Sequence, residues 1–351
     1  MSKTGSLLHP VQIGGLTLPG NLFLAPVAGY SDYAFRSICA EFGASFAFTE
    51  MVSAEALVRN SGKTKTLMAR ARSEKAYAVQ LFGADPATVG QAARIVLETT
   101  DTDCLDINAG CPVPKIVKTG AGAALTRDPD RLFFVVQAAV NAVQKAAEET
   151  ARKQVPVTVK IRAGWDASAI TWKEAAEAAI QAGAAAVTLH PRTRAQGYEG
   201  KADWNLITRL KASAGRKFPA VKIFGSGDLF SPEDAQNMLQ ETGCDGVMFA
   251  RGALGNPFIF CQTAALLSGK PVPEISDEER IRAGWREFLL LQEHAGEALA
   301  CMEMRKRFCA YTKGIGHGAK LRDALVRGKS EAEFRKIFTG AGFSLSGIQT
   351  H

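Results

Sequence analysis

The chain has 351 residues, of which 46% are hydrophobic and 22% charged, a balance that excludes global disorder and supports a core larger than a small module needs. Its seven cysteines are an odd set without a CxxC pair and its five histidines are scattered singly, which argues against a disulfide framework, an iron–sulfur cluster or any other metal centre. The start lacks the apolar core of a secretory signal and no run of about 18 apolar residues is available to span a membrane, so a cytoplasmic location with no membrane contact is expected.

In chain order, short apolar runs of the parallel-strand type fall at Leu22–Pro26, Phe46–Glu50, Ala76–Phe82, Cys104–Asn108, Pro156–Arg162, Ala185–His190, Ala220–Gly225 and Gly246–Ala250. Between them lie helical patterns such as Pro86–Thr99, Pro129–Lys153, Thr171–Ala182 and Pro232–Glu241. Three of these open on a cap-and-proline pair: Asp85-Pro86, Asp128-Pro129 and Ser231-Pro232. Eight βα units in series predict a (β/α)8 TIM barrel. A doubly wound sheet would place a Gly-rich fingerprint after its first strand, whereas here that strand ends in Ala25-Pro26-Val27-Ala28. Beyond a linker at Lys270–Pro273 the strand pattern stops, and helices are expected over Asp277–Ala300, Glu303–Thr312, Ala319–Val326 and Ser330–Phe338. The expected division is therefore a barrel over residues 1–268 and a small helical domain over 269–351.

In a TIM barrel the chemistry sits where the strands end. There the sequence places Gln80, Asn108, Lys160, Arg162 and His190, with two glycine-bearing turns, Gly225-Ser226-Gly227-Asp228 and Ala250-Arg251-Gly252. Those turns follow strands seven and eight, a common location for a phosphate held by backbone N–H groups. A flavin suits the remaining groups better than a nicotinamide does. Gln80 can bond the polar edge of the ring, and Lys160 can stabilise its anionic reduced form. Cys111 stands on a Gly-Cys-Pro turn after the fourth strand. An ordinary thiol pKa of about 8.5 keeps it protonated near neutrality, as a proton donor requires.

Charge adds a partner. The net charge is +7, and from Ala300 onward ten Lys and Arg face four acids. A second basic stretch holds Arg59, Lys63, Lys65, Arg70, Arg72 and Lys75 against Glu74 alone. For any single run a solvated helix face is the simpler explanation; two runs in one RNA-handling protein would form a phosphate footprint.

Several motifs in order resemble the tRNA-dihydrouridine synthases, with the bacterial B-type subgroup the best fit. They are Leu24-Ala-Pro-Val-Ala-Gly29 with Asp32 and Phe35-Arg36, Asp106-Ile-Asn-Ala-Gly-Cys-Pro112, Val159-Lys-Ile-Arg162, and His190-Pro-Arg-Thr-Arg-Ala-Gln196 running on to Ala202-Asp-Trp204. Asp245-Gly-Val-Met248 continuing to Arg251-Gly-Ala-Leu-Gly-Asn-Pro257 completes the set. The resemblance implies an FMN-containing barrel with a C-terminal helical RNA-binding domain, NADPH as reductant, and reduction of the C5–C6 bond of uridines in tRNA with Cys111 as proton donor. FMN would meet Pro26, Val27, Ala28, Gln80, Lys160, His190, Ser226, Gly227, Asp228, Ala250 and Arg251. Asn108, Arg162, Arg192 and Arg194 would lie near the uracil or the RNA backbone.

Three positions depart from the family pattern: Val27 replaces a usual Met, Ser226 a usual Asn and Ala250 a usual Gly. The alternatives are a ribosomal RNA substrate, a free pyrimidine or a small enoate, another flavin reaction on RNA such as methylation, or RNA binding without turnover. No obligate protein partner is evident in the sequence.

Overall fold

The computed structural model describes residues 6–150, 153–316 and 318–349, with Lys63 and Lys65 described in their backbone only. The chain start and the expected run of the long helix through residues 151–152 lie outside the described residues, as do the side chains of those two lysines.

The chain opens with an antiparallel hairpin, β1 (Val11–Ile13) and β2 (Leu16–Leu18). There follow β3 (Leu22–Leu24), α1 (Tyr33–Glu41), β4 (Phe46–Phe48), β5 (Val52–Ser53), α2 (Ala54–Val58), α3 (Gly62–Thr66), β6 (Tyr77–Phe82), α4 (Pro86–Thr99), β7 (Cys104–Ala109), α5 (Pro114–Val117) and α6 (Pro129–Thr150). Next come β8 (Val157–Gly164), α7 (Trp172–Gln181), β9 (Ala186–Thr193), α8 (Asn205–Lys217), β10 (Lys222–Ser226), α9 (Pro232–Thr242), β11 (Gly246–Phe249) and α10 (Ile259–Leu267). Four helices complete the chain: α11 (Asp277–Ala295), α12 (Glu297–Tyr311), α13 (Gly318–Leu325) and α14 (Glu331–Gly340).

Strands β3, β4, β6, β7, β8, β9, β10 and β11 pair in parallel in that order, and β11 pairs back onto β3. This is the closed (β/α)8 barrel that the eight apolar runs predict, followed by helices. β5 is a short parallel addition on β6, with Val52 opposite Leu81. Local chemistry starts the helices where expected. Asp85 accepts from the Thr88 N–H ahead of α4, and Ser231 forms a capping box with Asp234 on α9, each such cap contributing about 1 kcal/mol.

Alternation along the strands sorts two cores. Outward residues such as Val79, Ile107, Val159, Val187 and Val247 pack beneath the helices. Inward residues of the lower barrel, Phe23, Phe46, Phe48, Phe224 and Met248, form a plug with Val11, Ile13 and Leu18 of the hairpin. Phe23 meets Phe46 and Phe224 edge-on at 5.9 and 4.9 Å, a favourable aromatic geometry. The hairpin thus closes the bottom, leaving the strands' C-terminal ends as the open mouth.

The C-terminal helices bury Trp285, Phe288, Phe308, Phe334 and Phe338 together, and Ala34 and Ile38 of α1 join that core. Two expected helices, Asp277–Ala300 and Glu303–Thr312, meet instead at Gly296, whose φ of +85° turns the chain between α11 and α12. Arg307 is one of the ten basic residues beyond Ala300 for which a phosphate-facing role is expected. Its side chain is instead 3% exposed and pairs with Asp32 at 2.6 Å and Glu287 at 2.7 Å, so it fastens α12 to the loop before α1. Among the described residues no helix is long and apolar enough to cross a membrane.

Candidate active site

Above the phenylalanine plug the inward positions turn polar. Gln80 lies opposite Asp106, Asn108 opposite Lys160, and Arg162 opposite His190 across neighbouring strands. All of these side chains except Asp106, together with the loops above them, enclose a cavity of about 270 Å³. It is lined by Pro26, Val27 and Ala28 after β3, by Gln80, Lys160 and His190, and by Ser226, Gly227, Asp228, Ala250 and Arg251 at the ends of β10 and β11. Cys111, Asn108 and Arg162 line it as well. Arg192 and Arg194 are absent from its wall. Arg192 is buried and pairs with Asp228 at 2.7 Å, while Arg194 lies over the Trp165 ring at 4.7 Å.

A chain of hydrogen bonds fixes the floor. Thr158 Oγ1 donates to Asp106 at 2.6 Å, Gln80 Nε2 donates to the other Asp106 oxygen at 2.6 Å, and Asn108 Nδ2 donates to Gln80 Oε1 at 2.8 Å. Asn108 Oδ1 then accepts from the N–H groups of Gly110 and Cys111 at 3.1 and 2.9 Å. Its amide therefore shapes the cysteine turn, a role its expected substrate contact did not include. Arg162 braces the same turn from the other side, donating to the carbonyls of Gly110, Thr193 and Gly197. Cys111 is thus presented to the cavity by a loop held at both shoulders.

Burial dominates the electrostatics. It pushes the Asp106 carboxyl up to about 7, against the hydrogen bonds from Gln80 and Thr158. It lowers Lys160 to about 8, helped by Arg162 and opposed by Asp106. The Cys111 thiol is raised by burial, against the Val113 N–H and the cations Arg162 and Lys160. His190 is held well below its ordinary value by burial and then by Lys160, Arg162, Arg192 and Arg251. At neutral pH the cavity therefore carries a protonated thiol, a neutral imidazole and a cationic amine. Among the described residues no hydrogen bond engages that amine.

The ends of β10 and β11 form a cradle. Gly227 has a φ of +107°, and a Cβ there would stand 2.7 Å from the His190 ring, so both backbone conformation and space require glycine. Asp228 ties together Arg192 and Arg251, at 2.7 and 3.1 Å, and two guanidiniums on one carboxylate leave a positive excess at the cradle. Arg251 also lies over Tyr198 at 4.3 Å and Phe230 at 5.1 Å.

Residues 23–342 match the family model of dihydrouridine synthases. A probable tRNA-dihydrouridine synthase of Treponema pallidum is 53% identical over 336 residues, covering 96% of this chain and 97% of that protein. Another from Mycobacterium tuberculosis is 37% identical, covering 91% and 82%, and tRNA-dihydrouridine synthase B of Pseudomonas syringae pv. tomato is 35% identical, covering 85% and 84%. The chain belongs to the dihydrouridine synthase family. Among solved structures, a histamine dehydrogenase from Rhizobium sp. 4-9 shares the fold with a TM-score of 0.57 at 14% identity; the match covers 87% of this chain and 51% of that one. An amine oxidase acting on 6-hydroxypseudooxynicotine, from Pseudomonas geniculata N1, gives 0.56 at 15% identity, covering 83% and 55%. The chain spans about half the length of these two structures.

For a member of the dihydrouridine synthase family, the departure at Ser226 has a simple local account. Its hydroxyl donates to the Met248 carbonyl at 3.0 Å, tying β10 to β11 where a longer amide would reach further into the cavity. Sequence reasoning missed Val113, Tyr198, Leu229 and Phe230, which also line the wall with Met51. Each follows a strand end or a matched motif by a few residues, and that proximity was the available signal.

Proposed function

We propose that this dihydrouridine synthase family member reduces the C5–C6 bond of specific uridines in tRNA, in the cytoplasm, with FMN as cofactor, NADPH as the electron source and Cys111 as proton donor. The observation that carries this reading is the shared cavity: a protonated thiol on a braced turn faces an unpartnered ammonium and a glycine cradle. The fit to FMN rests on the same groups. Gly227 leaves room that a side chain would fill, Arg251 and Arg192 give the cradle its positive excess, and the Lys160 amine is available for the electron-rich edge of the ring. Pro26, Val27, Ala28, Gln80, His190, Ser226, Asp228 and Ala250 complete the contacts.

When bound, FMN supplies the electron pair that the double bond takes up, and NADPH restores it. The chain's own residues do the rest. Gln80 is held in one orientation by Asp106 and Asn108, so its remaining donor and acceptor address the ring without rearrangement. His190 stays neutral and adds no cation beside Lys160. Cys111 Sγ gives its proton to C5 of the uracil, and burial favours the thiol form needed for this. Asn108 and Arg162 keep that thiol on the cavity side.

The uridine must be unstacked to enter, at a cost of a few kcal/mol. The helical domain of residues 269–351 is proposed to hold the RNA, with Lys306 beside the cavity loop at Tyr30. The deciding measurement is nucleoside mass spectrometry of tRNA and rRNA from cells lacking the gene, complemented with wild type or Cys111→Ala. Loss of dihydrouridine from tRNA, restored by wild type alone, is expected. Unchanged dihydrouridine in a strain without a redundant enzyme would rule the reading out.

A further inference from the structure

Most arginines on the surface of this protein are neutralised by a neighbouring carboxylate, as Arg59, Arg70, Arg131, Arg327 and Arg335 are. Two at the mouth of the barrel are not. Arg127 and Arg194 each lie over the ring of Trp165, both with the guanidinium carbon 4.7 Å from its centroid. Neither forms an ion pair among the described residues. The acid of the same loop, Asp166, feels the Arg127 charge without forming an ion pair with it, and its Oδ1 is engaged by the Ser168 N–H and hydroxyl at 2.9 and 2.6 Å.

Three separate loops build this cluster. Arg127 ends the 3-10 turn Gly122–Arg127, whose Ala123 N–H donates to the Cys111 carbonyl at 2.9 Å. Trp165 directly follows β8, and Arg194 directly follows β9. Backbone bonds from Arg194 N–H to Gly164 and from Ala195 N–H to Trp165, both 2.8 Å, lock the last two loops together. Lys115 on α5 and Lys118 just after it are exposed and add two positive charges to the segment that follows Cys111.

Bringing two cations to one indole is favourable through the ring quadrupole, yet the pair repels itself and each guanidinium keeps N–H donors for another partner. A polyanion relieves that repulsion. Position adds a second argument. β8 is four strands from β3 in either direction around the barrel, and the β3 loop is where Lys306 of α12 sits over Tyr30. The cluster therefore faces the helical domain across the mouth.

We propose that Arg127, Trp165 and Arg194 form a second phosphate-binding platform, which holds the RNA backbone on the side of the cavity opposite the helical domain. This rests on the RNA reading of the site. Two grips straddling the mouth would place the strand across it, so that a nucleotide drawn out between them enters over Cys111.

The test uses FMN-loaded protein, unmodified tRNA, and the variants Arg127→Ala, Trp165→Leu and Trp165→Phe. For Arg127→Ala we expect KM and Kd for tRNA to rise about tenfold at low salt, and the slope of log affinity against log salt to fall by about one contact's worth, 0.7–0.9. Turnover at saturating tRNA and the flavin absorbance should stay at wild-type values. Trp165→Leu should weaken binding likewise, and Trp165→Phe, which keeps a ring beneath both guanidiniums, should restore most of it. A wild type that neither binds nor modifies tRNA would overturn the RNA reading itself. A wild type that modifies tRNA while Arg127→Ala matches it in KM and salt slope would overturn the platform alone, as would a loss confined to kcat.

Discussion

The lower and upper halves of this barrel are made from the same strands at the same inward-facing positions, yet they do opposite work. Below, Phe23, Phe46, Phe48, Phe224 and Met248 fill the interior and the hairpin seals it. Above, Gln80, Asp106, Asn108, Lys160, Arg162 and His190 stand in their place, mostly buried and each engaged by hydrogen bonds or charge. The change takes two or three residues along a strand: β7 passes from Cys104 to Asp106 to Asn108, and β10 from Phe224 to Ser226. Stability and chemistry are therefore separated by height, not by element. Substitutions in the two layers should have separable consequences.

The largest effect is expected at the top. Cys111→Ala should lower turnover by about 10²–10⁴-fold, the usual contribution of a positioned general acid, and leave the melting temperature close to wild type. In the wild-type pH profile, the falling limb from this thiol should lie above the ordinary thiol value, because burial raises it. A limb well below that value would point to a different donor. At the bottom, Phe224→Ala should destabilise the fold by about 3–5 kcal/mol in urea melts, with FMN stoichiometry unchanged in the fraction that stays folded. Equal losses of stability from both variants would erase the distinction between layers.

Lys160→Met sharpens the comparison. It should weaken FMN binding, read by flavin fluorescence, yet leave the apo fold as stable or more so, since a desolvated ammonium is removed. The sign follows from linkage. The folded-state value of about 8 lies below the ordinary 10.5, so the unfolded chain binds more protons between those pH values. This group's contribution to stability therefore rises as pH increases across that window, and the rise should be missing from Lys160→Met. The smallest effect belongs to Ser226→Ala, which removes one hydroxyl-to-carbonyl bond. A loss of about 1 kcal/mol in stability is expected, with little change in FMN affinity, because the hydroxyl is already engaged with the Met248 carbonyl and the proposed contact of Ser226 with the cofactor would come from its backbone.

Much of this two-layer design is legible in the sequence, and for a physical reason. Strands buried on both faces read as unbroken apolar runs, so all eight barrel strands stand out, and a polar residue ending such a run marks the mouth. What eludes that reading is short or mutual. The hairpin strands have three residues each and β5 has two, too few to show a period. Arg307 and Lys306 are adjacent basic residues in the sequence, but only the tertiary pairing with Asp32 and Glu287 separates a buried tie from a surface charge. Arg192 is similar. Its motif placed it near substrate, while its actual partner, Asp228, lies 36 positions along the chain. Asn108 sits where expected, and its bonds to Gly110 and Cys111 give it a structural task that residue type alone does not disclose.

The tie at Arg307 also bears on how far this protein tolerates recombination with its relatives. The guanidinium reaches Asp32 and Glu287, and donates to the Gly29 carbonyl at 3.3 Å, one residue beyond the part of the β3 loop that lines the cavity. Exchanging the tail is therefore not a neutral graft. A chimera that brings a foreign helix in place of α12 must carry its own arginine to meet Asp32, and a foreign barrel must offer that acid. Otherwise a buried charge is left alone, at about 3–5 kcal/mol, beside the loop on which the cofactor is proposed to rest. Tail and barrel are, for an engineer, a single exchangeable cassette.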